Sequence, residues 1–438
     1  MDGRPQLTAT RALLTFLLIA GAAIFFARGP WRAVTIGNVD FAMIYSSARA
    51  WMLGRNPYEA ADIRATWLQA GGAAQSDPAA FGSAVFLYPP PTFAALAPIA
   101  ALPWRTAAFA WMALSTIAWF ATLLAVSRAA GFGPRSLSRL AFFTAGVWLA
   151  PAATSLNVGQ LAIASGAAVA LAHSRGSRDS WLRGVLLGLG AAIKPQVAGL
   201  FTLYEAGRLR WKAAAASIAT VAVITAIAVL RMQAAGIAWR ASWLRNLHEF
   251  TTLSNGDPTA ANPLRFHLIN LHYPLHTLTD NRDLVRWAVL AIVAALCAAY
   301  FLVDLKRGRA PGEHRRTGGE LISLSMVAVV TLMVVYHRFY DAVLLVWPLA
   351  LAIRTIAAPG RDRALGLALL VLVGLYFLPG AAALASAAQR GWIPARLTTG
   401  PLWNALALPH EAWALPCMAV LLIALRWRAE PDLRRRST

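Results

Sequence analysis

The chain has 438 residues, 58 % of them hydrophobic and 13 % charged, with a mean hydropathy of +0.55. Soluble proteins carry roughly 25 % charge, and a water-soluble fold of this size has no way to hide so much apolar side chain, so the solvent around it is largely lipid. The same figures exclude a disordered chain, a coiled coil and a disulfide scaffold. They also exclude a nucleic-acid binder despite a net charge of +21, because the basic residues punctuate apolar runs instead of clustering on a polar face.

In chain order, apolar segments lie at 12–27, 90–127 (broken by Pro103), 140–153, 160–173, 184–193, 196–204, 213–231, 285–303, 320–335, 342–353, 364–385 and 411–425. A bilayer core of about 30 Å takes about 20 apolar residues per spanning helix, so several of these are short. The first resembles a secretory signal in length, but Phe26-Ala27-Arg28 is a poor cleavage site, which predicts an uncleaved anchor. Segments 184–193 and 196–204 are separated only by Lys194-Pro195. This predicts a hairpin of short helices, whose irregular backbone must be buried in protein or line a wet cavity. The fold expected is all-α and polytopic: a single integral membrane domain over 1–438, with about 10–12 membrane helices, short broken hairpins and large outer loops. Cys297 and Cys417 sit in separate apolar runs and read as packing residues, not as a pair.

The positive-inside rule orders the segments. The N-terminus, 128–139, 174–183, 205–212, 304–320, 354–363 and the tail from Arg426 hold 24 of the 40 Lys/Arg and 9 of the 19 Asp/Glu. The clearest markers are Lys306, Arg307, Arg309, Arg315 and Arg316 in one loop and Arg434-Arg435-Arg436 in the basic tail, 426–438. Both termini are therefore expected in the cytoplasm. That order leaves three long loops outside, at 28–89, 232–284 and 386–410. It also puts outside three tight tips, at Asn157–Gln160, Lys194–Gln196 and Tyr336–Asp341. Polar residues in apolar context thus converge on one membrane face, where ionisable groups are costly and mark function by default.

Asp40 lies just past the first segment between apolar residues. Partial desolvation raises the pKa of such a carboxylate and makes it a usable base near neutral pH; an N-cap or an ion pair with Arg49 or Arg55 is the structural alternative. Tyr88 precedes three prolines at a helix start and doubles as an interfacial tyrosine. Asn157 and Gln160 offer amides at a tip, suited to a hydroxyl-rich ligand or to a buried turn. Lys194, in mid-membrane context, suits a phosphate or snorkels. His337, Arg338, Tyr340 and Asp341 form the densest polar cluster, with His337 and Asp341 four apart and Arg338 a second phosphate candidate; an Arg338–Asp341 ion pair is the alternative. His272 and His276 have metal-ligand spacing, but Pro274 lies between them and weakens a helix there. No Asp-x-Asp pair occurs, which argues against a metal-bound nucleotide diphosphate as substrate.

These motifs together resemble the membrane glycosyltransferases of the GT-C class and, more narrowly, glycosyltransferase family 87, the mannosyltransferase-like group. The resemblance runs from about Asn38 to Leu351 and rests on Asp40-Phe41, Leu53-Gly54, Asn56-Pro57-Tyr58, Tyr88-Pro89-Pro90, Gly159-Gln160, Lys194-Pro195 and Tyr340-Asp341 ahead of a Leu-rich helix. It implies a GT-C-like bundle in a bacterial cytoplasmic membrane, with the active site on the outer face. It implies a polyprenyl-phosphate-linked sugar donor, most often mannose, and a glycan, glycolipid or protein acceptor. By that pattern Asp40 is the general base for inversion at C1, Lys194 and Arg338 hold the departing phosphate, and Tyr88, Asn157, Gln160, His337, Tyr340 and Asp341 line the sugar and acceptor site. No cofactor is implied, a divalent cation remaining open. A polytopic transporter of an anionic or lipid-linked substrate is the rival. It would predict two related halves, and no repeat relates 1–220 to 221–438.

Overall fold

The computed structural model describes residues 4–73, 86–174, 179–306 and 317–429. Arg307, Arg309, Arg315, Arg316 and Arg434-Arg435-Arg436, the charge markers of the expected topology, lie outside the described residues. Among the described residues the fold is all-α, with no strand beyond one isolated bridge between Leu268 and Arg338.

Helix α1 (Arg4–Phe26) runs on through two π-type turns, Ala27–Trp31 and Ala33–Gly37. Pro30 lies in the first, where its missing N–H prevents a regular helical bond. The stretch expected as the first outer loop is largely helical, with α2 (Val39–Met52) and α3 (Ala60–Gln69). The next apolar run divides at Pro103 as expected, into α4 (Pro90–Ala100) and α5 (Trp104–Ala129), since proline drives the residue before it out of the helical region. Helices α6 (Leu137–Trp148) and α7 (Ala150–Val158) meet at 44° across Leu149. Then come α8 (Ala162–Ser174) and the broken hairpin itself, α9 (Trp181–Ile193) and α10 (Pro195–Gly207).

The long α11 (Trp211–Ala234) is followed by α12 (Trp239–Leu253), a short α13 (His272–His276) and another long helix, α14 (Arg282–Lys306). Helix α15 (Thr317–Val334) leads to a 3-10 turn, Phe339–Leu345, which continues into α16 (Val346–Ala357). The last elements are α17 (Arg363–Gly374), α18 (Gly380–Gln389), the one-turn α19 (Ala395–Thr398) and α20 (His410–Arg428). Five stretches are long and apolar enough to cross a bilayer: Thr8–Thr35, Trp104–Ala129, Trp211–Ala234, Arg282–Lys306 and Phe339–Ala357. The bent α6–α7 pair makes a sixth. Shorter apolar helices, among them α8, α9 and α17, fill the space between, as partial spans can where protein shields their ends. Cys297 and Cys417 are free and exposed.

Two apolar clusters hold the bundle. The larger gathers Phe142, Leu187, Phe201, Met333, Trp347 and Met418 from helices α6 to α20. The smaller gathers Phe41, Tyr45, Tyr58, Phe93 and Trp111 around α2 and α4. Helices α9 and α11 approach through small residues: a Cβ on Gly188 would lie 2.7 Å from the Ser217 carbonyl oxygen, a spacing typical of close helix pairs in lipid. At its far end the α9–α10 hairpin is pinned by Glu205, which is sealed from solvent. Glu205 faces His173 Nε2 at 3.0 Å, Arg210 Nη1 at 3.1 Å and Arg183 Nη1 at 3.4 Å.

Replacing Gly188 tests this packing. Gly188→Leu forces α9 off α11 and is expected to lower stability by about 1–3 kcal/mol. Gly199→Ala meets nothing within 4 Å and is expected to hold or raise it, by up to about 1 kcal/mol. Thermal melting of both variants in one detergent checks the pair.

Candidate active site

The site lies where the two clusters meet, and five chain segments build it. Asp40 stands in the first turn of α2, half-buried, beside Phe41 of the smaller cluster. A carboxylate there is favoured by the helix dipole, but Asp40 is not the cap residue, and among the described residues neither of the alternative ion pairs forms. Arg49 donates to the carbonyls of Ala100 and Leu102, and Arg55 to the Thr66 hydroxyl.

Its partner comes from the end of α7. Gly159 has φ +74, and a Cβ there would lie 2.5 Å from the Cβ of Phe41. Only glycine permits both this left-handed backbone and the close approach of α2. The Trp111 indole N–H holds the Gly159 carbonyl at 3.1 Å. The turn delivers Gln160, whose Nε2 donates to Asp40 Oδ2 at 2.6 Å. Gln160 Oε1 accepts from Tyr88 OH at 2.9 Å and Lys194 Nζ at 3.0 Å. A lysine ammonium can only donate, so the oxygen must face it and the amide N–H must face Asp40.

Lys194 occupies the break between α9 and α10, and the backbone groups freed there are taken up locally. The Thr92 hydroxyl donates to the carbonyls of Ala192 and Ile193 at 3.2 Å, and Ser165 to that of Gly190 at 2.9 Å. The side chain is 2 % exposed, with Nζ 2.5 Å from Asp341 Oδ1 and 5.0 Å from the centre of the Tyr340 ring. Asp341 Oδ2 faces His337 Nδ1 at 3.0 Å. His337 is fully buried, and its Nε2 has no partner among the described residues.

The alternative reading, an Arg338–Asp341 ion pair, is not what forms: Asp341 pairs with Lys194. Arg338 turns instead to the Asn255 side-chain oxygen at 3.1 Å, a neutral partner. Tyr88 is suspended from other elements. Trp243 Nε1 donates to the Leu87 carbonyl at 3.0 Å, Asn246 to that of Phe86 at 3.0 Å, and Tyr58 OH to that of Tyr88 at 2.9 Å. Of the residues singled out from sequence, Asp40, Tyr88, Gln160, Lys194, His337, Tyr340 and Asp341 form one connected network, with Arg338 at its edge. Asn157 is half-buried on the last turn of α7 and makes no side-chain hydrogen bond among the described residues. Asn255 and Thr92 carried no signal in the sequence, since a loop amide and a helical threonine are ordinary.

Burial raises the Asp40 pKa above the usual carboxylate range, while the Gln160 hydrogen bond and the Arg338 and Lys194 charges pull the other way. Burial keeps the Tyr88 hydroxyl protonated, reinforced by the Asp40 and Asp341 charges. His267 is pushed down to about 4, by burial first and the Arg338 charge second, and is neutral. No three His, Cys, Asp or Glu side chains group as a metal site among the described residues; His272 and His276 stand on α13. The arrangement offers a carboxylate, amide and hydroxyl groups beside it, and a guanidinium without a carboxylate partner among the described residues.

The family model described as glycosyltransferase family 87 matches residues 86–335. The chain is 26 % identical, over 95 % of its length and 91 % of the relative's, to a polyprenol-phosphate-mannose-dependent alpha-(1-2)-phosphatidylinositol mannoside mannosyltransferase of Mycobacterium tuberculosis. Over 138 residues, 31 % of this chain and 32 % of the relative, it is 34 % identical to the corresponding pentamannoside mannosyltransferase of Mycolicibacterium smegmatis. No solved structure matches the chain.

The Lys194–Asp341 pair yields a stability test. Lys194→Met strands a buried carboxylate and is expected to cost about 3–5 kcal/mol. Adding Asp341→Asn removes the stranded charge and is expected to restore much of the loss. Melting curves of the single and double variants decide it, and a Lys194→Met protein as stable as wild type would show that the pair holds nothing together.

Proposed function

This chain belongs to glycosyltransferase family 87, a membrane-embedded hexosyltransferase, and from that premise we propose that it moves mannose from a polyprenyl-phosphate donor to a hydroxyl of a glycolipid. The transfer takes place on the outer face of the cytoplasmic membrane and inverts configuration at C1. Donor and acceptor class follow the two relatives, whose names give a polyprenol-phosphate-mannose donor and phosphatidylinositol mannoside acceptors. The face follows the charge asymmetry of the loops.

The observation that carries the mechanism is the 2.6 Å hydrogen bond from Gln160 to one oxygen of Asp40. It orients the carboxylate and leaves Oδ1 for the acceptor. Asp40 takes the proton of the acceptor hydroxyl as its oxygen attacks C1 of the donor sugar. The C1–O bond to phosphate breaks on the opposite side, and its electron pair leaves with the polyprenyl phosphate. The negative charge that develops there calls for a preorganised cation. Arg338, whose side chain meets the neutral Asn255, supplies it directly. Lys194, already committed to Asp341, contributes its field from behind. Tyr88, Asn157, Gln160, His337, Tyr340 and Asp341 line the sugar and acceptor side, where their hydrogen-bonding groups fit hydroxyls.

Asp40→Asn nearly preserves shape but removes the proton acceptor. Transfer from a polyprenyl-phosphate-mannose donor by the purified protein is expected to fall by roughly 10²–10⁴ with donor binding little changed. In the wild type the rate declines as pH drops through the raised Asp40 pKa, above the ordinary value of about 3.9, because only the ionised form is a base. That acid limb should vanish in the Asn variant. Near-normal turnover in Asp40→Asn would remove the residue from the mechanism.

The orientation has its own test. Single cysteines introduced at positions 60 and 255 should react with impermeant thiol reagents from outside intact cells, and one at position 133 should not. Labelling of 255 from the cytoplasm alone would overturn the assigned face.

A further inference from the structure

Helix α12 is not explained by the chemistry above. It joins two successive spanning stretches, α11 and α14, so their facing ends lie on the same side of the membrane. A turn at Gly236, φ +65, leads from α11 into α12. At its other end, the carbonyls of Thr251 and Thr252 accept from Arg282, the first residue of α14, at 3.2 and 3.4 Å. Its fifteen residues cover about 22 Å at 1.5 Å each. The helix is therefore tied at both ends to the level where the two spans leave the bilayer.

Its surface divides into three arcs at about 100° per residue. Ser242, Asn246 and Phe250 are buried and face the protein, where Asn246 holds the carbonyls of Tyr58 and Phe86. Arg245, His248 and Glu249 are exposed on a polar arc, with Arg245 paired to Glu59 at 2.6 Å. Between the two lies a third arc of Trp243, Leu247 and Leu244, with Leu244 49 % and Leu247 38 % exposed, and with Arg240 and Thr251 exposed within it. Helix α11, apolar enough to span, likewise leaves Ile218, Val223, Ile227 and Leu230 open. Trp243 is half-buried with its ring 6.2 Å from that of Trp239, and tryptophans gather at the membrane–water boundary.

We propose that α12 is an interfacial helix docked on the phospholipid surface. Leu244, Leu247 and the outer edge of Trp243 sit at the headgroup–acyl boundary, Arg240 reaches up to lipid phosphates, and the Arg245–His248–Glu249 arc faces water. A three-arc helix of this kind fits the interface plane and neither water nor the membrane interior. Docking has a consequence for the site. Trp243 and Asn246 hold the backbone of Phe86 and Leu87, and Tyr88 follows directly and donates to Gln160. The lipid surface thereby sets the height of the Tyr88–Gln160–Asp40 chain relative to the plane of lipid phosphates. The docking itself does not depend on which group the site transfers.

The test needs no activity assay. In the full-length protein carrying Cys297→Ser and Cys417→Ser, nitroxide labels are placed singly through Leu244→Cys, Leu247→Cys, His248→Cys and Glu249→Cys. The proteins are reconstituted in phosphatidylcholine–phosphatidylglycerol vesicles. Collisions with oxygen, which concentrates in lipid, are compared with collisions with a water-soluble nickel chelate. The oxygen-to-nickel ratio is expected to be severalfold higher at 244 and 247 than at 248 and 249. Equal ratios at all four positions would place the arc in water. Labels at 244 and 247 closed to both reagents would mean that another protein surface covers it. Either result overturns the docking, while loss of transfer with the ratios intact would count only against the catalytic reading.

Discussion

Lys194 and Asp341 come from segments 147 residues apart, and their charged atoms lie 2.5 Å from each other, sealed from solvent. An unpaired charge in such a place is prohibitive, so the pair constrains everything around it. It requires a helix break at Lys194, because a continuous α9–α10 helix would not bring that residue to a tip. The break requires hydroxyls from other helices, Thr92 and Ser165, to accept the role of the lost helical donors. It also requires the 3-10 turn at Phe339–Leu345 to lie against the tip. With Glu205 and its cations holding the opposite end of the hairpin, the element carrying Lys194 is fixed at both ends.

The pair also separates the two carboxylates of the site by environment. Both oxygens of Asp341 are engaged, one by the Lys194 ammonium and the other by His337, so it is a poorer acceptor for a substrate proton than Asp40. Asp40 has one oxygen occupied, by a neutral amide, and burial raises its pKa. Two acidic groups near one another thus acquire different capacities, as in enzymes that draw acid, base and electrostatic roles from the same residue type. Gln160 is the hinge of this division. A single amide touches Asp40, Tyr88 and Lys194, and its orientation is dictated by the lysine.

The sequence revealed which residues belong together but not how they pair. Asp40, Lys194, His337 and Asp341 stood out because polar groups in apolar runs are expensive, a local property. The breaks at Pro103 and Lys194-Pro195 were equally legible, since proline acts on its own neighbours. Partnership is largely a long-range property: the four-residue spacing of His337 and Asp341 did announce their contact, but the three-residue spacing of Arg338 did not. Arg338 lies three residues from Asp341, which on an α-helix would pair them, but the segment is a 3-10 turn entered from extended backbone, and Arg338 points to Asn255 instead. The helices inside the expected outer loops were hidden for a different reason. Helix α12 buries Ser242 and Asn246 and exposes leucines, so its apolar pattern does not advertise a protein-facing stripe. The bend at Leu149 left no mark either, because Pro151 sits near the start of α7, where proline is unremarkable.

The two apolar clusters explain how the proposed chemistry acquires its geometry. In-line displacement needs the base and the leaving-group cation on opposite sides of the reacting carbon. Asp40 and Tyr88 are set by the smaller cluster, through Phe41, Tyr58 and the segment hung from α12. Lys194 and Asp341 are set by the larger one, through Val197, Phe339 and Ala342. Each cluster is packed within itself, so neither group can drift without unpacking many neighbours. At the seam between them the side chains meet through Gln160, at a turn that tolerates no Cβ at Gly159. The placing of Asp40 against the Lys194–Asp341 pair is thereby a property of how two cores abut, and the proposed chemistry would inherit its geometry from that seam.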